Sequence, residues 1–251
     1  MSKYYRGLRK RNLYQPGSDT PFKLSRSRID LYVQCPRCFY IDRRLGLDRP
    51  PGYPFNLNNA VDTLLKSEFD KCRKDGQQHP IQEEYRLKLR PAPHAELDTW
   101  RNNFKGVQYL HEEFNLLIFG AIDDLWIDEE ETYAVVDYKA TAKKGRITEL
   151  DQGWHAAYKR QMEIYQWLVR RNGLNVSDTG YFVYCNGQAE LPNFENTIQF
   201  DTTLIAYEGS DDWVEKKIAD IHKCLNSDEI PSSNYNCDFC KYTSEIEKLI
   251  N

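Results

Sequence analysis

Two acidic residues and a lysine lie at the ends of two neighbouring strand-like segments, "NLLIFGAIDDLWI" and "VVDYKAT". Side chains alternate along a strand, so Asp137 and Lys139 share one face while Tyr138 points to the other. If residues 129–131 form a three-residue hairpin loop, Asp123 lies opposite Asp137, with the two Cβ atoms about 5 Å apart. The sequence therefore predicts two carboxylates and one ammonium group on a common patch.

Such a patch has a defined chemistry. Two carboxylates this close repel each other unless a cation or a proton lies between them. Oxygen ligands suit Mg²⁺ or Mn²⁺, which can activate water and stabilise charge on a phosphodiester in its transition state. The lysine would hold the attacking water or offset the charge on phosphorus. An ordinary Asp–Lys ion pair at a strand end fits the same residues, so the spacing leaves both interpretations open.

The cysteines indicate a second site. Four of the seven cysteines form two CxxC pairs, Cys35 with Cys38 and Cys237 with Cys240. Each pair can place two thiolates on one ion, and two pairs make a four-sulfur site that suits zinc or an iron–sulfur cluster. Because the pairs stand near opposite ends of the chain, such a site would join the N- and C-terminal segments. Four unligated thiols are the alternative.

Helical and strand patterns alternate in the elements that must position these groups. A helix is predicted from Ser25 into Cys35, and an amphipathic helix over residues 56–76. The two strands, 115–127 and 132–138, are joined by an acidic turn. Further elements are a helix over 151–173, a strand over 179–187, one or two strands within 191–209, and a helix over 211–231. This order predicts an α/β fold with a mixed sheet flanked by helices.

Composition narrows the class of protein. The 251 residues fit one large domain, or one domain with an appended lobe. A net charge of −4 excludes a uniformly basic nucleic-acid coat and leaves room for local basic patches, such as the basic tail expected over residues 1–23. No apolar stretch approaches the ~20 residues of a membrane span, and the N-terminus lacks the apolar core of a signal peptide. We therefore expect a cytoplasmic protein without a membrane segment.

Three motifs resemble one family. The stretch "GAIDDLWIDEEETYAVVDYKAT" resembles the core of the PD-(D/E)XK nuclease superfamily, in its RecB-like branch. Downstream, "RQMEIYQWLV" is similar to the QxxxY helix of that branch, and upstream "SRSRIDLYVQCPRCFYI" is similar to its first segment. The resemblance spans residues 24 to 242. It implies a restriction-endonuclease-like fold in a single domain over residues 24–251, with its two ends joined by a cysteine-ligated metal site.

The resemblance also implies roles for individual residues. Asp123 and Asp137 would be ligands of Mg²⁺ or Mn²⁺, with the backbone carbonyl of Tyr138 as a third ligand and Lys139 as the catalytic lysine. The full set of catalytic candidates is Asp62, Asp123, Asp137, Lys139, Gln161 and Tyr165.

Three of these candidates lie on helices. Gln161 and Tyr165 would support the site or contact the nucleic-acid backbone, and packing on an amphipathic helix is the alternative for both. The branch often carries a histidine on its first core helix, where this chain has Asp62. Asp62 would bind the cation, with Glu68 as a rival for that role. The alternative for Asp62 is a helix-surface ion pair with Lys66.

The cysteine pattern departs from that of the family. Iron–sulfur members of the branch, including AddB-type and CRISPR-associated nucleases, carry a [4Fe–4S] cluster on one early and three late cysteines. Here the last cysteine would fall near Ile246 and is absent, while Cys38 is extra. The resemblance implies a [4Fe–4S] cluster on Cys35, Cys38, Cys237 and Cys240, with Zn²⁺ as the alternative.

The resulting expectation is a metal-dependent nuclease that hydrolyses phosphodiester bonds of single- or double-stranded DNA, with RNA left open. The resemblance also implies a helicase or a CRISPR-type protein as a partner. The alternative is a catalytically inactive nucleic-acid-binding module with the same fold. Its phosphate contacts would be Lys143, Lys144, Arg146, Arg170 and Arg171.

Overall fold

The computed structural model describes residues 7–52 and 56–250. Its helices are α1 Arg26–Gln34, α2 Pro36–Tyr40, α3 Asn56–Asp75, α4 Pro80–Glu84, α5 Leu97–Trp100, α6 Ala156–Arg171, α7 Asp212–Asn226 and α8 Asp238–Ile250. Its strands are β1 Phe22–Ser25, β2 Arg90–Pro91, β3 Val107–His111, β4 Leu116–Gly120, β5 Asp124–Ile127, β6 Tyr133–Thr141, β7 Thr179–Gly187 and β8 Phe200–Glu208. The predicted α/β class, with sheets flanked by helices, is confirmed.

The chain divides into two compact units. Unit 1 combines Met1–Tyr53, Tyr109–Phe119 and Asp212–Asn251, and unit 2 combines Pro54–Gln108 and Gly120–Asp211. Residues 1–6 of the predicted basic tail lie outside the described residues. Among the described residues, none of the helices combines the length and the apolar character that a bilayer crossing requires.

Unit 2 contains a five-stranded sheet in the order β2–β5–β6–β7–β8. Strands β6 and β7 are parallel and the other neighbours are antiparallel, so the sheet is mixed. Central strands β5 and β6 read as nearly continuous apolar runs because helices cover both faces. On one face, Phe69 of α3 stacks on Trp126 and Tyr138 at ring distances of 5.4 and 5.6 Å. On the other face, Met162 of α6 packs against Gly180 so closely that a Cβ there would collide with its sulfur.

The hairpin between β5 and β6 has the predicted register. The amide of Asp128 donates to the carbonyl of Thr132 at 3.1 Å, which closes a three-residue loop. Its last residue, Glu131, has φ of 59°, the left-handed conformation that such loops need at this position. Asp124 pairs with Val136, so continuing the register by one residue places Asp123 opposite Asp137.

Unit 1 contains a three-stranded sheet in the order β1–β4–β3 and the helices α1, α2, α7 and α8. Two residues of the predicted basic tail take part in its packing. Tyr14 is buried and meets Phe22 edge-on at 5.3 Å. Arg9 forms an ion pair of 2.8 Å with the buried carboxylate of Asp42, which Arg28 and Arg43 also contact.

One predicted strand was wrong, and one helix was not predicted. The strand expected over 115–127 is interrupted after Gly120, and its halves, β4 and β5, join different sheets. The break occurs where the Ile122 amide bonds to the Trp100 carbonyl instead of a strand partner. Gly106, at φ of 65°, also lies so close to the Gly120 carbonyl that a side chain would not fit. The sequence analysis predicts no element beyond residue 231, whereas the structure has the helix α8 there.

Candidate functional site

The end of β6 holds a compact polar network. Lys139 forms an ion pair with Asp137, whose side chain is fully buried. Gln161 of α6 bridges the two: its amide nitrogen donates to Asp137 Oδ1 at 2.7 Å, and its carbonyl oxygen accepts from Lys139 Nζ at 3.4 Å. The Tyr165 hydroxyl lies 3.2 Å from the same amide nitrogen and is buried, so it orients Gln161 rather than facing solvent.

Asp123 lies beside this network, immediately before β5. Its Oδ2 accepts a hydrogen bond of 2.9 Å from the backbone amide of Tyr138, which fixes the carboxylate against β6. Its backbone carbonyl accepts from Arg101 Nε at 2.8 Å. Its Oδ1 lies 3.4 Å from the ammonium of Lys66, a residue of α3. The structure therefore brings the predicted pair of carboxylates and Lys139 together at one end of the sheet.

The first core helix adds a third carboxylate. Asp62 forms an (i, i+4) ion pair with Lys66 at 2.9 Å, as the alternative for Asp62 has it, and Lys66 also reaches Asp123. Asp62 therefore belongs to the same charged group as Asp123. Burial, and then the negative charge of Asp123, raise the pKa of Asp62. Glu68 is not part of this group, because its side chain is 56% exposed and lies 3.4 Å from His79.

The charge state of Lys139 follows from its neighbours. Burial alone would lower the pKa of Lys139, but the carboxylates of Asp137 and Asp123 raise it above the usual lysine value. The Lys139 ammonium also lies 4.5 Å from the ring centre of Tyr158 on α6, a favourable cation–π position. Lys139 is therefore a proton-bearing cation at neutral pH, suited to stabilising negative charge and not to abstracting protons.

Asp124, which the sequence analysis did not single out, anchors this end of the sheet. Its side chain is fully buried on the α3 face and accepts from Arg101 at 2.9 Å, from Arg73, and from the Tyr138 hydroxyl at 2.8 Å. Such a cluster holds the backbone on which Asp123 stands. The available signal was the pair of adjacent aspartates: along a strand they must face opposite ways, so one of them must be accommodated in the core.

The carboxylates offer a donor set of hard oxygens. Among the described residues, the cysteines form the one set of three or more metal-type side chains whose ligand atoms all lie within 4.8 Å of one another. Asp62, Asp123 and Asp137 do not form such a set, and two lysine ammonium groups stand against them. Oxygen donors of this kind suit a hard divalent cation, which would share the carboxylates with the ammonium groups of Lys66 and Lys139.

The four predicted cysteines do meet. The sulfur of Cys38 lies 3.5 Å from that of Cys237 and 3.6 Å from that of Cys240, and the sulfurs of Cys35 and Cys240 are 3.8 Å apart. All four belong to unit 1. Cys35 lies at the end of α1, Cys38 within α2, and Cys240 within α8. The predicted meeting of the two CxxC pairs is therefore confirmed, including the extra cysteine, Cys38.

Polar groups favour the negatively charged form of Cys35, whereas burial raises the pKa of Cys38, and burial together with the neighbouring thiols raises that of Cys240. Burial would raise the pKa of Cys35, but the backbone amides of Asn234 and Cys38 that bond to its sulfur contribute to lowering it to about 7. The guanidinium of Arg49 lies 3.4 Å from the sulfur of Cys237 and 4.6 Å from the ring centre of Phe239. Amide donors and a fixed cation of this kind stabilise thiolates, the form in which cysteine binds metals.

The basic residues of the alternative reading have different surroundings. Arg170 is engaged in ion pairs of 2.6 Å with Asp178 and with Asp211. Arg171 lies 5.5 Å from the ring centre of Trp167. The segment of Lys143, Lys144 and Arg146 is exposed.

Comparison with known protein families gives a match over most of the chain. The family model described as the PD-(D/E)XK nuclease superfamily matches residues 23–244, which include all the residues of both sites. No curated protein matches the chain.

Proposed function

The chain belongs to the PD-(D/E)XK nuclease superfamily, and on that premise we propose that it is a metal-dependent nuclease of the RecB-like type that hydrolyses DNA phosphodiester bonds. The observation that carries the proposal is the network at the end of β6. There Asp137, Lys139 and Gln161 are bonded to one another, and the hairpin register sets Asp123 opposite Asp137.

The proposed ligands are Asp123, Asp137 and the backbone carbonyl of Tyr138, with Asp62 as a further carboxylate. A divalent cation such as Mg²⁺ or Mn²⁺ bound there would activate water and stabilise negative charge on the phosphate. Lys139, protonated at neutral pH, would donate a hydrogen bond to the attacking water or to a phosphate oxygen. Gln161 would hold the side chains of Lys139 and Asp137 in their relative positions during this step.

The test is cleavage of labelled single-stranded DNA, double-stranded DNA and RNA with Mg²⁺, Mn²⁺ or EDTA. Asp137→Ala should lose both metal binding and cleavage, and Lys139→Ala should keep the metal and lose cleavage about a hundredfold or more. Asp75→Ala and Lys74→Ala are matched controls, because both side chains are exposed at the end of α3. Wild-type protein that binds nucleic acid but cleaves none of it would favour the inactive binding module instead.

For the cysteine cluster, we propose a single Zn²⁺ ion. Four sulfurs around one ion at ~2.3 Å stand about 3.8 Å apart at the corners of a tetrahedron. The observed distances of 3.5, 3.6 and 3.8 Å support this arrangement. In a [4Fe–4S] cluster each cysteine binds a different iron, so the sulfurs stand farther apart. The ion would have a structural role, because all four of its positions are filled by cysteine.

A further inference from the structure

An exposed indole ring lies near the proposed cleavage site. Trp154 is 40% exposed, whereas Trp100, Trp126 and Trp167 are buried. A single exposed aromatic ring is common on protein surfaces and needs no function. The surroundings of Trp154 in unit 2, however, are those of a nucleic-acid contact.

The ring of Trp154 is connected to the catalytic network through one residue. Its centre lies 5.3 Å from that of Tyr158, with the ring planes at 89°, and the Tyr158 centre lies 4.5 Å from Lys139 Nζ. These two distances bound the separation of the indole and the Lys139 ammonium at about 10 Å, or about three stacked base steps of ~3.4 Å. A strand whose phosphate sits at Lys139 therefore has a neighbouring base within reach of Trp154.

A cation accompanies the ring. The ammonium of Lys143 lies 3.9 Å from the ring centre of Trp154. The backbone of Lys143 is fixed on both sides by the buried side chain of Asn186, which accepts from its amide at 2.8 Å and donates to its carbonyl at 2.9 Å. A base that stacks on the indole would displace this ammonium from the ring face and bring phosphates within its reach. Aromatic rings combined with lysine are the usual means of binding single strands without reading their sequence.

The ring is also held in place before any ligand arrives. Trp154 lies in the helical turn Gly153–His155, which leads directly into α6. The next residue, His155, is buried, and its Nδ1 accepts from the Gln152 amide at 3.1 Å, which closes a capping box. Because the buried neighbour anchors the turn, the indole points outward at little further cost in conformational entropy on binding.

We infer that Trp154 stacks on an unpaired base of the strand that enters the site and that Lys143 pairs with an adjacent phosphate, so that the substrate is single-stranded or locally unpaired nucleic acid. Bases inside a duplex are already stacked on both faces, and only an unpaired base can lie on the indole. The inference rests on the proposed function for the location of the strand. It assigns specificity for strand structure to a residue outside the catalytic network.

The experiment measures binding without cleavage. Binding of a dye-labelled oligothymidine and of a labelled duplex of equal length is measured by fluorescence anisotropy in EDTA, for wild type, Trp154→Phe and Trp154→Ala, and the tryptophan fluorescence of each protein is recorded alongside. The single strand should quench the wild-type fluorescence, and Trp154→Ala should weaken single-strand binding about tenfold while duplex binding changes less than about twofold. Trp154→Phe, which keeps an aromatic face, should be intermediate. Lys143→Gln should reduce the salt dependence of binding by about one phosphate contact.

Trp213→Phe is the matched control, because it removes a tryptophan outside unit 2 and should leave the quenching in place. Equal single-strand affinity in wild type and Trp154→Ala, or an equal loss for single strand and duplex, would overturn the inference. The titrations contain EDTA, so binding does not depend on the proposed metal site. Quenching that persists in Asp137→Ala, a variant expected to lose cleavage, therefore tests the stacking role separately from the nuclease proposal. A protein that binds in this way but never cleaves contradicts the nuclease proposal and leaves the stacking role standing.

Discussion

Removing the C-terminal cysteine pair, Cys237 and Cys240, should lower the stability of the protein by an amount that depends on the length of the loop that the cysteine cluster closes. Cys35 and Cys240 are 205 residues apart, and Cys38 and Cys237 are 199 apart. A cross-link that closes a loop of this length removes unfolded-chain entropy worth about 5 kcal/mol at 25 °C, by analogy with disulfides. For a protein of this size that corresponds to a fall in Tm of roughly 10–20 °C.

The appropriate change is the double substitution Cys237→Ser with Cys240→Ser. A single substitution would leave three sulfurs that could still hold an ion across both segments, whereas the double one leaves only Cys35 and Cys38 on one side. Cys72→Ser is the matched control, because that thiol lies outside the cluster and is only half-buried.

The assay combines metal analysis with urea and thermal unfolding. Wild-type protein purified without added metal should be colourless and contain one zinc ion per chain. The double variant should contain no zinc ion that links the N- and C-terminal segments. Wild type stripped of its metal should unfold at the same midpoint as the double variant, since both lack the cross-link. A double variant as stable as Cys72→Ser would refute the loop-closure argument. Brown protein with broad visible absorption would refute zinc and support a cluster.

Two further predictions concern acidic residues. Asp62→Asn should raise the Mg²⁺ concentration needed for half-maximal cleavage severalfold while Glu68→Gln leaves it unchanged, because only Asp62 shares a lysine with Asp123; the reverse result would place the third carboxylate at Glu68. Burial would raise the pKa of Asp42, but the hydrogen bond with Asp48 and the neighbouring arginines lower it to about 2. A carboxyl group with a lowered pKa adds stability above about pH 4 and loses it as the pH falls through about 2. The stabilities of wild type and Asp42→Asn should therefore converge between about pH 5 and pH 2, and a constant difference would contradict this account.

The arrangement of side chains at the end of β6 could be predicted because its determinants are local. The alternation of side chains places Asp137 and Lys139 on one face, and the length of the acidic turn sets Asp123 opposite Asp137. The four cysteines could be paired because CxxC spacing is itself local and metal binding needs two such pairs. In both cases a short stretch of sequence contains most of the geometry.

The remaining features depend on residues far apart in the chain. Asp124 is buried only because Arg73 and Arg101, 51 and 23 residues away, are brought to it. Lys66 reaches Asp123 across 57 residues. The division of 115–127 into two strands reflects which sheet each half joins, a choice that its continuous apolar pattern does not encode. Tertiary pairing overrides local pattern at such positions.

The order of the two units along the chain has a consequence for how the protein is made. Unit 2 is complete once residue 211 has been synthesised, whereas unit 1 needs residues 212–251 to join its earlier segments. At a synthesis rate of ~5–20 residues per second, Cys237 and Cys240 are added a few seconds after the last strand of unit 2. Cys35 and Cys38 are synthesised well before that strand. Unit 2 can therefore fold first on the ribosome. The two cysteine pairs can meet only after residues 212–251 have been synthesised, so the ion proposed for them would bind last.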